Sequence, residues 1–340
     1  MKKNKTILLV ALLMAIVAAL LIYFKSYKGT IREELKDFAI SDTSSITKIF
    51  LADKKGKQVL LEKIAPGDWK VNGKFTARRD AINTLLYTMK NLEVKSPVAR
   101  SAYNNVIKNM ASKAIKTEIY QQGELTKTYY VGEPAADQLG TFMMLENSSA
   151  PFIMQIPGFD GYLTTRYFTS ESDWRDRTIF RYKPEDIASI SVEHFFATDR
   201  SFTLTAEKGE VVGITAKNTG EKMATPDSVR TKLYMNYFRN VEFEALVVNN
   251  EEVNKDSVIA NGPVYVITLT DVGGKINKVK IFLKPVGKST NTADTFEGKA
   301  ILHDIDRMYA LVNNDKDFVM IQNFIFDNLL RGFKDFAKKK

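Results

Sequence analysis

The sequence predicts an α+β protein: an N-terminal transmembrane helix followed by two similar units of antiparallel strands, each covered by a helix. Three observations predict it. An apolar run from Ile7 to Phe24 lies between basic flanks, strand-like segments beyond it alternate apolar and polar residues between tight turns, and the order of strands, helix and hairpins occurs twice. Joints made by hairpins rather than by helical crossovers are what make the strands antiparallel.

The first element is the apolar run. Lys2, Lys3 and Lys5 precede it and Lys25 and Lys28 follow it. As a helix, residues 6–24 would span roughly 28 Å at about 1.5 Å per residue, close to the ~30 Å hydrocarbon core of a bilayer. A cleaved secretory signal is the alternative, but a cut after Ala19 leaves Leu20, Leu21, Ile22, Tyr23 and Phe24 continuing the run, so an uncleaved anchor is predicted. The basic residues on its two sides nearly balance. A short tail before a single apolar run is nevertheless how an export signal is built, which predicts a cytoplasmic N-terminus and an exported body.

The body divides, on this reading, into a first repeat over 30–170 and a second over 171–340, after a tail and anchor at 1–29. Ile46 to Phe50 begins the first copy and Ile187 to Ser191 the second. The first helix runs from Ala77 to Leu92, capped by Thr76, with Ile82, Leu85, Leu86, Met89 and Leu92 on one face. Its counterpart is capped by Thr225, takes Pro226 in its first turn, and carries Val229, Leu233, Tyr237 and Phe238. An extended exit follows each helix, at 94–98 and 243–247. Then come two hairpins per copy: 116–131 around Gln122-Gly123 and 142–156 in the first, 264–283 around Gly273-Gly274 and 308–321 in the second. The polar stretch 288–299 is the longest insertion, and residues 323–336 predict a terminal amphipathic helix through Phe324, Leu329, Leu330 and Phe333.

Charge and chemistry narrow the function more than they define it. Of the formal charge of +9, five units come from lysines before residue 30 and three from Lys338, Lys339 and Lys340, which leaves the folded body near neutrality. A nucleic-acid partner, which needs a basic face on the domain itself, is therefore not predicted. Cysteine is absent, so neither disulfides nor a lipidated cysteine contribute. His194 and His303 are the only imidazoles, and both read as structural or exposed; His303-Asp304-Ile305-Asp306 lacks the remainder of a coordination shell. Phosphate-loop and nucleophile-elbow motifs are missing. No catalytic residue, metal or cofactor is predicted, and a small-molecule ligand is left open.

The candidate binding residues cluster at the centre. Asp173, Trp174, Arg175, Asp176 and Arg177 combine carboxylates that pair with guanidinium groups and a ring on which a guanidinium can lie, a composition suited to a clasp between the copies or to a binding site. Upstream, Phe159, Tyr162 and Tyr167 set aromatics among turn residues, where they can stack on sugars, grip a peptide or pack a seam.

With the basic start and apolar anchor, Glu33-Glu34-Leu35-Lys36-Asp37-Phe38, Trp69-Lys70-Val71-Asn72-Gly73 before a helix and Asp173-Trp174-Arg175-Asp176-Arg177 at the centre, the chain resembles a family of bacterial membrane-anchored proteins catalogued as domain of unknown function 4340. The resemblance carries no reaction and no catalytic residues. It implies, by analogy with domains found beside ABC-type export and gliding systems, a partner-binding role. The expectation is thus a non-enzymatic, single-pass protein of the bacterial cytoplasmic membrane, its bilayer contact at residues 6–24 and a protein partner in the envelope. A glycan-binding or glycan-acting protein using the central aromatics and acids is the alternative.

Overall fold

A computed structural model describes residues 14, 17, 37–148, 150–247, 254–286, 295–296, 299–300 and 302–338. Two compact units result, residues 1–176 and 177–340.

In the first unit the strands are β1 (Ile46–Ala52), β2 (Gln58–Ala65), β3 (Asp68–Val71), β4 (Phe75–Thr76), β5 (Glu93–Pro97), β6 (Ile115–Gln121), β7 (Glu124–Pro134), β8 (Thr141–Leu145) and β9 (Phe152–Gln155), with helices α1 (Arg79–Lys90) and α2 (Arg100–Lys113) on either side of β5. They form one antiparallel sheet in the order β4-β3-β2-β1-β6-β7-β8-β9-β5. Period-two side chains explain why both faces are used. On one, Ile49, Leu51, Leu61, Tyr129, Val131 and Met143 are buried with Ile82, Leu85 and Met89 of α1. On the other, Tyr130, Phe142 and Met144 pack beneath Val106, Met110 and Ala114 of α2 and its exit. Gln122 and Gly123 both take positive φ, 52° and 93°, the backbone twist that a two-residue hairpin between β6 and β7 demands.

The short helix α3 (Glu171–Trp174) closes the first unit, and β10 (Thr178–Phe180) starts the second by pairing with β14 (Val241–Glu242). The main sheet comprises β11 (Ile187–His194), β12 (Phe202–Glu207), β13 (Glu210–Ala216), β15 (Ala245–Leu246), β16 (Tyr265–Asp271), β17 (Ile276–Pro285), β20 (His303–Val312) and β21 (Asp317–Gln322); β18 (Thr295–Phe296) and β19 (Lys299–Ala300) form a small separate pair. Its order is β13-β12-β11-β16-β17-β20-β21-β15. Setting β4 aside, this is the order of the first sheet, strand for strand. Even the irregularity where the first strand meets the central hairpin is shared, at Ile46/Lys48 and at Ile187/Ser189. Helix α4 (Ser228–Asn236) packs Tyr234 and Met235 into the main core, while α5 (Lys255–Ala260) sets Val258 over Phe282, Tyr309, Leu311 and Phe318 on the opposite face.

Several sequence expectations are corrected. The fold is mainly β rather than α+β: antiparallel sheets of nine and eight strands dominate, with strands as long as eleven residues in β7, and the helices are short covers. No helix among the described residues is long and apolar enough to cross a membrane. The predicted transmembrane helix is therefore no part of the described fold; the segment 1–29 lies outside the described residues apart from Met14 and Val17, as do residues 33–36 and most of the 288–299 insertion. Among the described residues each unit has two covering helices, not one. Helix α1 starts at Arg79, since Thr76 pairs in β4, and α4 is capped by Asp227, whose carboxylate accepts from the N–H groups of Val229 and Arg230. The predicted terminal helix is a four-residue turn, α6 (Asn323–Phe326), and a 3₁₀ turn at Phe333–Phe336. Its apolar residues do not share one face: Phe324 is 70% exposed, whereas Phe326, Leu329, Leu330, Phe333 and Phe336 are all buried.

Candidate functional site

Seven of the eight predicted site residues lie in one segment of the first unit, a strap over 159–176 that follows β9. Backbone and side-chain bonds hold it. The N–H of Leu163 donates to Thr141 Oγ1 at 2.6 Å, Thr164 Oγ1 donates to the carbonyl of Gly132 at 2.7 Å, and Arg166 Nη1 donates to Thr88 Oγ1 at 2.9 Å. Tyr167 is buried, its hydroxyl 3.1 Å from that of Tyr129, and burial pushes both phenols well above their ordinary pKa. Trp174 is fully buried in the main core, donates Nε1–H to the carbonyl of Phe168 at 2.9 Å and meets the Phe168 ring edge to face at 5.3 Å. Its own carbonyl accepts from the N–H of Arg78 at 2.7 Å, just before α1 begins.

These positions decide what the predicted residues can do. Trp174 and Tyr167 offer no ring face to a ligand. Phe159, 37% exposed, is covered by the guanidinium of Arg166 at 4.2 Å, and Tyr162 is half-buried. Arg175 lies over the ring of Phe75 at 3.7 Å and is bridged to Ala77, while the N–H of Asp176 donates to the carbonyl of Thr76 at 2.8 Å. Arg177 opens the second unit, where its carbonyl accepts from the N–H of Phe243 at 3.0 Å.

Of the predicted residues, Asp173 and the buried Tyr167 line a cavity. It is a cleft of about 540 Å³ beside the strap, lined by residues 53–55 and 57, the end of α2, and residues 167–170 and 173. Phe168 and Ile115 lie among the lining residues, together with the lysines Lys54, Lys55, Lys57 and Lys113. Lys113 pairs with Glu133 at 2.6 Å and Lys54 lies 5.5 Å above the ring of Tyr130; the ammonium groups of Lys55 and Lys57 have no ion pair among the described residues. Asp53 serves as a bracket. One oxygen accepts from the N–H groups of Lys55 and Lys57 at 2.9 and 3.0 Å, the other from Thr169 Oγ1 at 2.9 Å, tying hairpin to strap. Burial raises its pKa, but these bonds and the Lys57 charge outweigh that and hold the carboxyl below its ordinary 3.8. A depressed carboxyl pKa contributes stability that is present above the ordinary value and is lost as pH falls through the folded one. Amide protection at Lys55 and Lys57 is accordingly expected to fall away below pH 3.8 in the native protein and to be weak at neutral pH in Asp53→Asn, as hydrogen exchange will show.

One acidic cluster elsewhere is engaged. Lys116 pairs with Glu118 at 2.8 Å and Glu146 at 3.3 Å, and Tyr120 and Tyr130 donate to the same two carboxylates. For Glu118 burial pushes the pKa up, yet Lys116 and Tyr120 bring it below the ordinary value, opposite to the shift a glycosidase acid requires. His194 is buried, with Nε2–H donating to the carbonyl of Arg331 at 3.0 Å, and burial lowers its pKa. No group of three or more His, Asp or Glu that can hold a metal exists among the described residues. The lysines of the cleft were missed in the sequence reading. Their one local signal is the run Asp53-Lys54-Lys55-Gly56-Lys57, while Lys113 and the strap join it only through folding.

A comparison with protein families matches residues 69–258, more than half of the chain, to the family described as "Domain of unknown function (DUF4340)". No curated protein and no solved structure matches.

Proposed function

We propose, from the premise that the chain belongs to the DUF4340 family, that it is a non-catalytic binding module and that the lysine-rimmed cleft of its first unit receives an acidic segment of a partner protein. The observation that carries this reading is the pair of cleft lysines without an ion pair among the described residues, Lys55 and Lys57, set on a turn that Asp53 braces against the strap. A braced turn presents its charges with little ordering cost on binding. Placement in a bacterial cytoplasmic membrane, with the body outside the cytoplasm and bilayer contact through residues 6–24, rests on the sequence of that run. A partner belonging to an ABC-type transport or gliding system is the extension that the family analogy supports.

Affinity capture from detergent-solubilised membranes tests the reading. The native chain is expected to recover a reproducible partner, and the triple charge reversal Lys54→Glu, Lys55→Glu, Lys57→Glu to lose it by about tenfold or more, since reversed rim charges repel an acidic segment. Equal recovery by the triple variant would remove the cleft from the proposal. A partnerless monomer that turns over a substrate would remove the non-catalytic assignment.

A further inference from the structure

The second unit carries a different cleft, of about 500 Å³, between α4 and the segment 331–338. Arg230, Arg331, Lys334 and Lys338 line it with Leu233 and Tyr237. Its one carboxylate, Asp335, is engaged by the N–H of Gly332 at 2.8 Å and lies 3.8 Å from Arg200. Arg230 is held in place, donating through Nη1 to the carbonyls of Asp335 and Ala337 at 3.1 Å each, and Arg331 is steadied by Asn328 at 2.9 Å. Lys334 and Lys338 have no ion pair among the described residues. Beside these cations, Val229 and Leu233 lie four residues apart on one side of α4, and Tyr237 follows just past its end; Val229 is 74% exposed and Leu233 52%.

The first unit shows that the fold does not need these groups. In both units the closing segment makes a single bridge to the residue before the helix cap, Ala77 to Arg175 and Pro226 to Ala337, and the next N–H, of Arg78 or Asp227, donates to the carbonyl of Trp174 or Phe336. This match sets Val229 and Leu233 opposite Asp80 and Thr84 of α1, and Lys338 opposite Asp176. One framework therefore carries acids and a hydroxyl in one unit, and exposed aliphatics and a cation in the other. Exposed apolar groups beside fixed cations are what an anionic amphiphile recognises: the cations take the headgroup, and the apolar stripe takes the first part of its chain.

We infer that this cleft binds a phospholipid with an anionic headgroup. The phosphate meets Arg331, Lys334 and Lys338, whose donors are otherwise little used, and the acyl chain lies along Leu233 and Val229.

The test uses the full chain in neutral detergent, to which dihexanoyl phosphatidylglycerol is added as monomers, with dihexanoyl phosphatidylcholine and glycerol phosphate as comparisons. Phosphatidylglycerol is expected to slow hydrogen exchange over 228–237 and 333–337. In Arg331→Ala/Lys334→Ala its apparent affinity is expected to drop by about tenfold or more, and in Leu233→Ser by several-fold; Lys334 and Leu233 are exposed and Arg331 half-buried. No protection, equal protection by phosphatidylcholine, equal protection by glycerol phosphate, or undiminished binding by the double variant would each overturn the inference; the third result would mark a site for free phosphate esters instead. Because the lipid is offered as monomers and the first-unit cleft plays no part, the outcome is independent of the partner-capture experiment.

Discussion

Trp174→Ala is expected to lower the stability of the first unit by about 3–5 kcal/mol, the usual cost of emptying a fully buried large aromatic site. Three contributions add. The cavity loses the contacts of a ring with no solvent exposure, the carbonyl of Phe168 loses its 2.9 Å donor, and the Phe168 ring loses its edge-to-face partner. That is a large share of the ~5–15 kcal/mol by which domains are stable. The measurement is convenient because the chain has two tryptophans, Trp69 and Trp174, and both are buried in the first unit's core. Urea denaturation of the variant, followed by the fluorescence of Trp69, should show a midpoint far below that of the native chain. Trp174→Phe should recover much of the loss but leave about 1–3 kcal/mol for the unsatisfied carbonyl. A midpoint shift no larger than that of an exposed substitution would show that the strap does not secure this core.

Phe336→Ala is the counterpart in the second unit and should be comparably costly, about 3–5 kcal/mol. Phe336 is 2% exposed, and its ring lies edge to face with both Phe202 and Tyr234 at 5.0 Å. It also positions the carbonyl that accepts from Asp227 at 2.8 Å, so its loss frees the start of α4. The second unit has no tryptophan, and hydrogen exchange is the suitable probe: protection should decline over Phe202–Glu207 and Ser228–Asn236. Unchanged protection at both would contradict the closing role assigned to Phe336.

Much of each sheet was legible because a strand states its face locally. Ile190 and Val192 alternate with Ser189, Ser191 and Glu193, and Gln122-Gly123 marks a hairpin by the positive φ it permits. Helix α2 was missed because only Val106 and Met110 of its fourteen residues are buried, too sparse an apolar stripe to stand out. The opposite error occurred at residues 323–336, where phenylalanines and leucines near helical spacing are buried from irregular backbone instead. The central Asp173-Trp174-Arg175-Asp176-Arg177 run was legible as unusual, but its composition was ambiguous: a tryptophan beside arginines can stack on a ligand or fill a core, and only burial distinguishes the two.

By itself, then, the sequence determined the conformation of most strands, the pairing of most hairpins, the recurrence of one element order and the near-neutral charge of the body, because each is written in residues close together along the chain. Tertiary structure alone decided that β5 and β15 cross to the far edges of their sheets, that Trp174 and Phe336 close the two cores, and which cations share a cleft. Those outcomes depend on contacts between segments tens of residues apart, such as Asp53 with Thr169 or Arg230 with Ala337, and no local periodicity encodes them.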